Sequence, residues 1–111
     1  MDLKPGTIQH LQDYVAQKIQ GRGFADESLH ERLLLLTEEL GELVNACRKI
    51  SGMNVDKNRE IQNNVGEEIA DMINLIFAVG IQLGLDIEKE FISKNKIVDQ
   101  RIYGRRPKEA E

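Results

Sequence analysis

Two acidic clusters stand one helix apart in this chain: Glu38-Glu39-Leu40-Gly41-Glu42 and Glu68-Ile69-Ala70-Asp71. In each, carboxylates fall three residues apart, the spacing at which side chains project from one side of a helix. Both are set in strongly apolar sequence, where unpaired carboxylates would be costly to bury. Converging carboxylate oxygens without a nearby His or Cys suit a hard divalent cation, above all Mg²⁺. A cation held this way points to a reaction on a phosphate compound.

Helical geometry sorts these acids. With Leu36 at the centre of an apolar stripe, Glu39 falls about 60° and Glu42 about 120° to one flank, at roughly 100° per residue. Glu38 falls further round, at the rim. Glu68 and Asp71 flank a stripe through Ile69 in the same way, and Glu67 points further outward. Two antiparallel helices could therefore bring Glu39, Glu42, Glu68 and Asp71 around a cation. A solvated charged face is the plain alternative, since one such pair alone has little meaning. Gly41, between the acids of the first cluster, leaves room for a close helix or ligand, or for an ordinary packing contact.

The elements that must carry these residues read as helices. Ile8, Leu11, Val15 and Ile19 recur at a helical period, predicting a helix from Thr7 to about Gln20 that Gly21-Arg22-Gly23 stops. Ser28 and Glu31 have the spacing of a capping box, and the helix they open runs to about Ile50. Its stripe is Leu33, Leu36, Leu40, Leu43, Val44 and Cys47. A third helix is expected from about Glu60 to Leu83, with Gly84 closing it. Asp86 caps a fourth, predicted from Ile87 to about Tyr103. No stretch alternates with period two, so the expected fold is all-α, a four-helix bundle. The apolar faces of the middle helices exceed what one short chain covers, and a homo-oligomer is expected to complete the core, with a monomeric bundle as the alternative.

Composition sets the outer bounds. The chain has 111 residues, enough for one domain, expected over 1–104 with a tail at 105–111. A net charge of −4 argues against stable nucleic-acid binding, which rests on cationic surface. Basic residues gather late in the chain, at Lys94, Lys96, Arg101, Arg105 and Arg106. Cys47 is the single cysteine, so a disulfide within the chain or a Cys-based zinc site is excluded, and its place on the apolar stripe predicts a core residue. No apolar leader or membrane-length run is evident, so the expected setting is the cytoplasm.

The paired motif, here Leu36-Thr37-Glu38-Glu39-Leu40-Gly41-Glu42-Leu43 and Gly66-Glu67-Glu68-Ile69-Ala70-Asp71-Met72-Ile73, resembles the signature of the MazG-like all-α nucleoside triphosphate pyrophosphohydrolases. An apolar run before the first motif and Leu83-Gly84-Leu85-Asp86 after the third helix extend the likeness over about residues 33–101. The resemblance implies a single-domain member that cleaves nucleoside triphosphates to the monophosphate and pyrophosphate. It implies Glu39, Glu42, Glu68 and Asp71 as Mg²⁺ ligands, with Mn²⁺ an acceptable substitute, and Glu38 as a group for a further metal or for orienting water. It further implies a homodimer or homotetramer. Asn95, Lys96 and Arg101 occupy the region where the family meets phosphates, although Asp99 and Gln100 stand where further Asn or basic residues often occur.

Base recognition is the least specified part. Gln9, Tyr14, Phe24 and His30 lie in the segments where the family varies most. Phe24 could stack on a base, but a core anchor is the expected role. His10 and His30 read as surface or satisfied residues. Two other classes remain open: a di-iron or di-manganese carboxylate bundle, opposed by the lack of a His three residues after Glu39 or Glu68, and a non-catalytic helical module binding a partner or nucleotide.

Overall fold

Each helix of this protein begins at a side chain suited to the task. In the computed structural model, which describes residues 6–54 and 64–106, the chain forms α1 (Ile8–Gly21), α2 (Leu29–Ile50), α3 (Val65–Gln82) and α4 (Ile87–Val98). Thr7, Ser28, Asn64 and Asp86 are the N-caps, accepting from the backbone N–H of His10, Glu31, Glu67 and Lys89 at 3.0–3.2 Å. These bonds satisfy donors that the first turn of a helix leaves without partners. Among the described residues there is no strand, and the all-α expectation holds.

Two boundaries differ from expectation. α3 starts at Val65, behind the Asn64 cap, later than the expected start near Glu60; residues 60–63 lie outside the described residues. α4 stops at Val98 instead of reaching Tyr103. Asp99 ends it, and Arg101, Ile102 and Tyr103 follow as exposed, irregular chain. The apolar pair Ile102-Tyr103 extends the amphipathic pattern in sequence, but among the described residues it finds no surface to bury against that would sustain the helix. Of the expected tail, Arg105 and Arg106 are exposed and residues 107–111 lie outside the described residues.

The turn between α3 and α4 follows from Gly84. Its φ of +70° is open to glycine and disfavoured for other residues. In that conformation Leu85 N–H reaches Gly80 C=O at 2.8 Å and Gly84 N–H reaches Ile81 C=O at 3.1 Å, the paired bonds of a Schellman ending. α4 then leaves at 102° to α3.

α2 packs along α3, α1 crosses α3, and α4 lies against α1. Arg32 meets Gln82 while Glu39 meets Glu68, so α2 and α3 run antiparallel. The hydrophobic core is small: Val15, Ala46, Phe77 and Ala78. Two polar side chains share it. Gln12 donates to Leu85 C=O at 2.9 Å and accepts from Ile87 N–H at 3.0 Å, closing the α3–α4 turn onto α1. Arg32 bonds the Gln82 side chain and the Phe24 carbonyl, fastening the α1–α2 loop to the end of α3. The stripes expected to be inward are only partly covered. Leu40, Val44, Ile69, Ile73 and Ile76 all remain exposed in the single chain. Cys47 is exposed too, against the expectation of a core residue. Among the described residues no single helix is long and apolar enough to cross a membrane.

Gly80 is buried where α4 turns back. A Cβ at this position would stand 2.5 Å from Ile87 Cδ1 and 2.9 Å from Cγ1. Gly80→Ala is therefore expected to lower stability by about 1–3 kcal/mol through overpacking, although alanine is the better helix former. Thermal melts should show this loss. Adding Ile87→Ala should cost less than the sum of the two single changes. An unchanged or raised melting temperature for Gly80→Ala would show that Ile87 turns aside freely.

Candidate metal centre

The antiparallel seam of α2 and α3 sets Glu39 opposite Glu68 and Asp71. One carboxylate oxygen from each of these three residues lies within 4.8 Å of the others. The i, i+3 spacing on α3 puts Glu68 and Asp71 on one side, and Glu39 enters from the edge of the α2 stripe. Glu39 and Glu68 are half-buried, while Asp71 is exposed at the mouth.

The electrostatics follow from this crowding. Partial burial pushes the Glu39 carboxyl above its ordinary value of 4.5, and a side-chain hydrogen bond with Glu68 pushes it the same way. The negative charges of Asp71, Glu68 and Glu38 add to the rise. Among the described residues no cationic side chain relieves Glu39. Three crowded oxygen donors, with one face open to solvent, fit a cation of the Mg²⁺ or Mn²⁺ type, which keeps several waters beside its protein ligands.

The sign of the pH effect is fixed by that direction. A folded-state affinity for protons higher than the unfolded one means stability is lost as pH rises from about 4.5 through the raised value, and the loss is complete above it. Without metal, Glu39→Gln should remove this share of the slope. Urea unfolding at a series of pH values in EDTA, wild type against Glu39→Gln, measures the difference. Parallel curves would show that Glu39 contributes nothing to it.

The other expected site residues lie apart from the trio. Glu42 is exposed, on α2 one turn past Glu39, and its carboxylate stands outside the three-residue cluster. Glu38 is exposed at the rim, close enough to act on the Glu39 charge. Asn95 and Lys96 belong to α4, which packs on α1 rather than on the seam. The Asn95 amide donates to Phe91 C=O of its own helix at 2.9 Å, Lys96 is exposed in the last turn, and Arg101 is exposed beyond it. A Cβ added at Gly41 would meet nothing within 4 Å, so among the described residues no other helix packs closely on it.

Between α1, α2 and α3 lies a cavity of about 230 Å³ whose lining includes Phe24, Glu27, Arg32, Leu35 and Asn74. Phe24 is not the expected core anchor: it is 47% exposed, with its carbonyl held by Arg32. His30 is exposed as expected. His10 is only half-covered, but its Nε2 is enclosed and makes no hydrogen bond with the described residues. Sequence reasoning passed over Arg32 and Asn74. The signal for Arg32 was present, since it lies about 40° from Leu36 on the helical wheel, within the apolar stripe. An arginine there had to be buried or break the stripe.

Comparison of the chain with protein-family models, with curated proteins and with solved structures finds no match, so its likeness to a family stands on its motifs alone.

Proposed function

We propose that this protein is a Mg²⁺-dependent nucleotide pyrophosphohydrolase, cleaving the α–β phosphoanhydride of (deoxy)nucleoside triphosphates to give the monophosphate and pyrophosphate. The observation that carries the reading is the trio of Glu39, Glu68 and Asp71: carboxylates within 4.8 Å of one another, with like-charge crowding on Glu39 that no side-chain cation among the described residues relieves. A bound divalent cation would supply charge neutralisation for the phosphates and a more acidic attacking water. The protein's part is positioning. Glu39, Glu68 and Asp71 hold the cation at the seam, and Glu42 is a further ligand if α2 turns it inward on binding. Glu38, at the rim, orients the attacking water and takes up its proton. Asn95, Lys96 and Arg101 supply donors for the outgoing phosphates in the assembled protein. No covalent nucleophile is required, because charge and alignment suffice for phosphoryl chemistry.

Product analysis over canonical and modified (deoxy)nucleoside triphosphates, with Mg²⁺ and with EDTA, tests the reading. Monophosphate and pyrophosphate formed only with the cation support it. Metal-independent turnover, or release of single phosphate, removes it.

The same reading includes a homodimer or homotetramer. Half-exposed Leu40, Val44, Ile69, Ile73 and Ile76, all on the paired middle helices, form an apolar surface beyond what scattered exposed residues explain. Sedimentation equilibrium should give at least twice the mass of one chain. A monomer at micromolar concentration would remove the oligomer from the proposal.

A further inference from the structure

The cavity between α1, α2 and α3 lies along the same seam as the carboxylates. Leu35 in its wall precedes Glu39 by four residues, and Asn74 follows Asp71 by three. Along the helix axes these two wall residues stand about 4.5–6 Å, one turn, from the candidate ligands. Its apolar walls include Ile19, Leu35 and Ala78, and five groups with other chemistry join them: Lys18, Phe24, Glu27, Arg32 and Asn74.

We propose that this cavity receives the base of the nucleotide, and that it selects bases with a lactam edge, a carbonyl next to a ring N–H. The inference rests on the pyrophosphohydrolase reading and adds to it the class of base. Size comes first. Pockets that enclose a whole small molecule span about 300–1,000 Å³. A cavity of about 230 Å³ suits one ring system, leaving the sugar and phosphates to run out along the seam.

Arg32 supplies the strongest reason. It is only 5% exposed, yet its guanidinium bonds neutral oxygens, Gln82 Oε1 at 2.9 Å and Phe24 C=O at 2.8 Å. A guanidinium has further N–H donors beyond those two. A buried cation matched, among the described residues, only to neutral acceptors is costly to keep, and a carbonyl-bearing ligand would recover part of that cost. Glu27, half-buried in the lining, offers an acceptor for the neighbouring ring N–H, and the Asn74 amide offers both senses. Adenine lacks the carbonyl. Cytosine would turn a ring lone pair toward the Glu27 carboxylate, a repulsive contact that discriminates. The Phe24 ring, held at the cavity by the Arg32 bond to its backbone, provides a stacking face.

The test uses the full chain and metal-free deoxynucleoside monophosphates carrying uracil, guanine, cytosine or adenine, followed by backbone and side-chain amide NMR. The uracil and guanine nucleotides should shift Phe24, Arg32 and Asn74 and bind about tenfold tighter, or more, than the other two. Asn74→Leu should remove most of that preference. Asn74 is exposed and makes no side-chain hydrogen bond among the described residues, so the variant isolates recognition from folding; Arg32→Lys serves as a second variant, expected to weaken the lactam bases selectively. Paramagnetic broadening by Mn²⁺ at Glu39, Glu68 and Asp71 is read separately. Broadening without any nucleotide shift in the cavity overturns the base site and leaves the metal reading intact. Cavity shifts without broadening uphold the base site and reject the metal centre. Equal affinity for all four bases overturns the lactam selection.

Discussion

Asp71→Asn should reduce Mg²⁺-dependent pyrophosphate release by about a thousandfold or more, a loss of about 4 kcal/mol of transition-state stabilisation, while leaving helicity intact. The fold should tolerate the change because Asp71 is exposed and the substitution keeps its shape. The reaction should not, because removing one charge from three weakens the hold on the cation. Glu68→Gln should behave alike. Glu42→Gln separates two ligand sets: the structure leaves Glu42 outside the cluster, whereas the motif resemblance includes it. A mild effect supports the trio alone. A loss as deep as that of Asp71→Asn shows that α2 turns Glu42 inward when the cation binds. Steady-state rates at saturating Mg²⁺, with circular dichroism on each variant, measure both. Full activity in Asp71→Asn would end the metal proposal.

The largest effect on stability is expected at Gln12. Gln12→Leu keeps the bulk but leaves Leu85 C=O and Ile87 N–H without their partner. Each unsatisfied group in a part-buried position costs about 1–3 kcal/mol, so the variant should lose about 2–5 kcal/mol. Domains of this size are stable by only about 5–15 kcal/mol, and the loss would be conspicuous. Urea titration should show a midpoint far below wild type with a similar slope. A near-normal midpoint would mean that water enters the turn and replaces the glutamine. Gln12→Glu at low pH, where the carboxyl is protonated and can both donate and accept, should recover part of the loss.

Much of the fold could be read from local chemistry. Ser28 and Asp86 as caps, Gly84 as the close of α3, and the span of α2 depend on neighbours within a few residues, which sequence displays directly. The end of α4 was less legible because it depends on what lies opposite. Ile102 and Tyr103 continue a helical pattern, yet α4 ends at Val98 because no described surface meets them. Wheel geometry likewise placed Glu39, Glu68 and Asp71 toward a shared seam, and the structure brings them together. It could not exclude Glu42, since its distance from the others depends on the relative register of two helices. Nor could pattern reading value Gln12 and Arg32. Both are polar letters in apolar stripes, and their roles emerge only when Leu85, Ile87, Gln82 and Phe24 arrive from elsewhere in the chain.

The Gln12 clasp has a mechanical consequence. Its bonds fall on Leu85 and Ile87, on either side of the elbow where α4 departs. The direction of α4 is thus governed from α1 more than from α3, the helix it follows in sequence. α1 also carries Val15, Lys18 and Ile19 at the cavity. A swing of α4 that moved Asn95 and Lys96 must therefore either break the Gln12 bonds or carry α1, and with it one wall of the cavity.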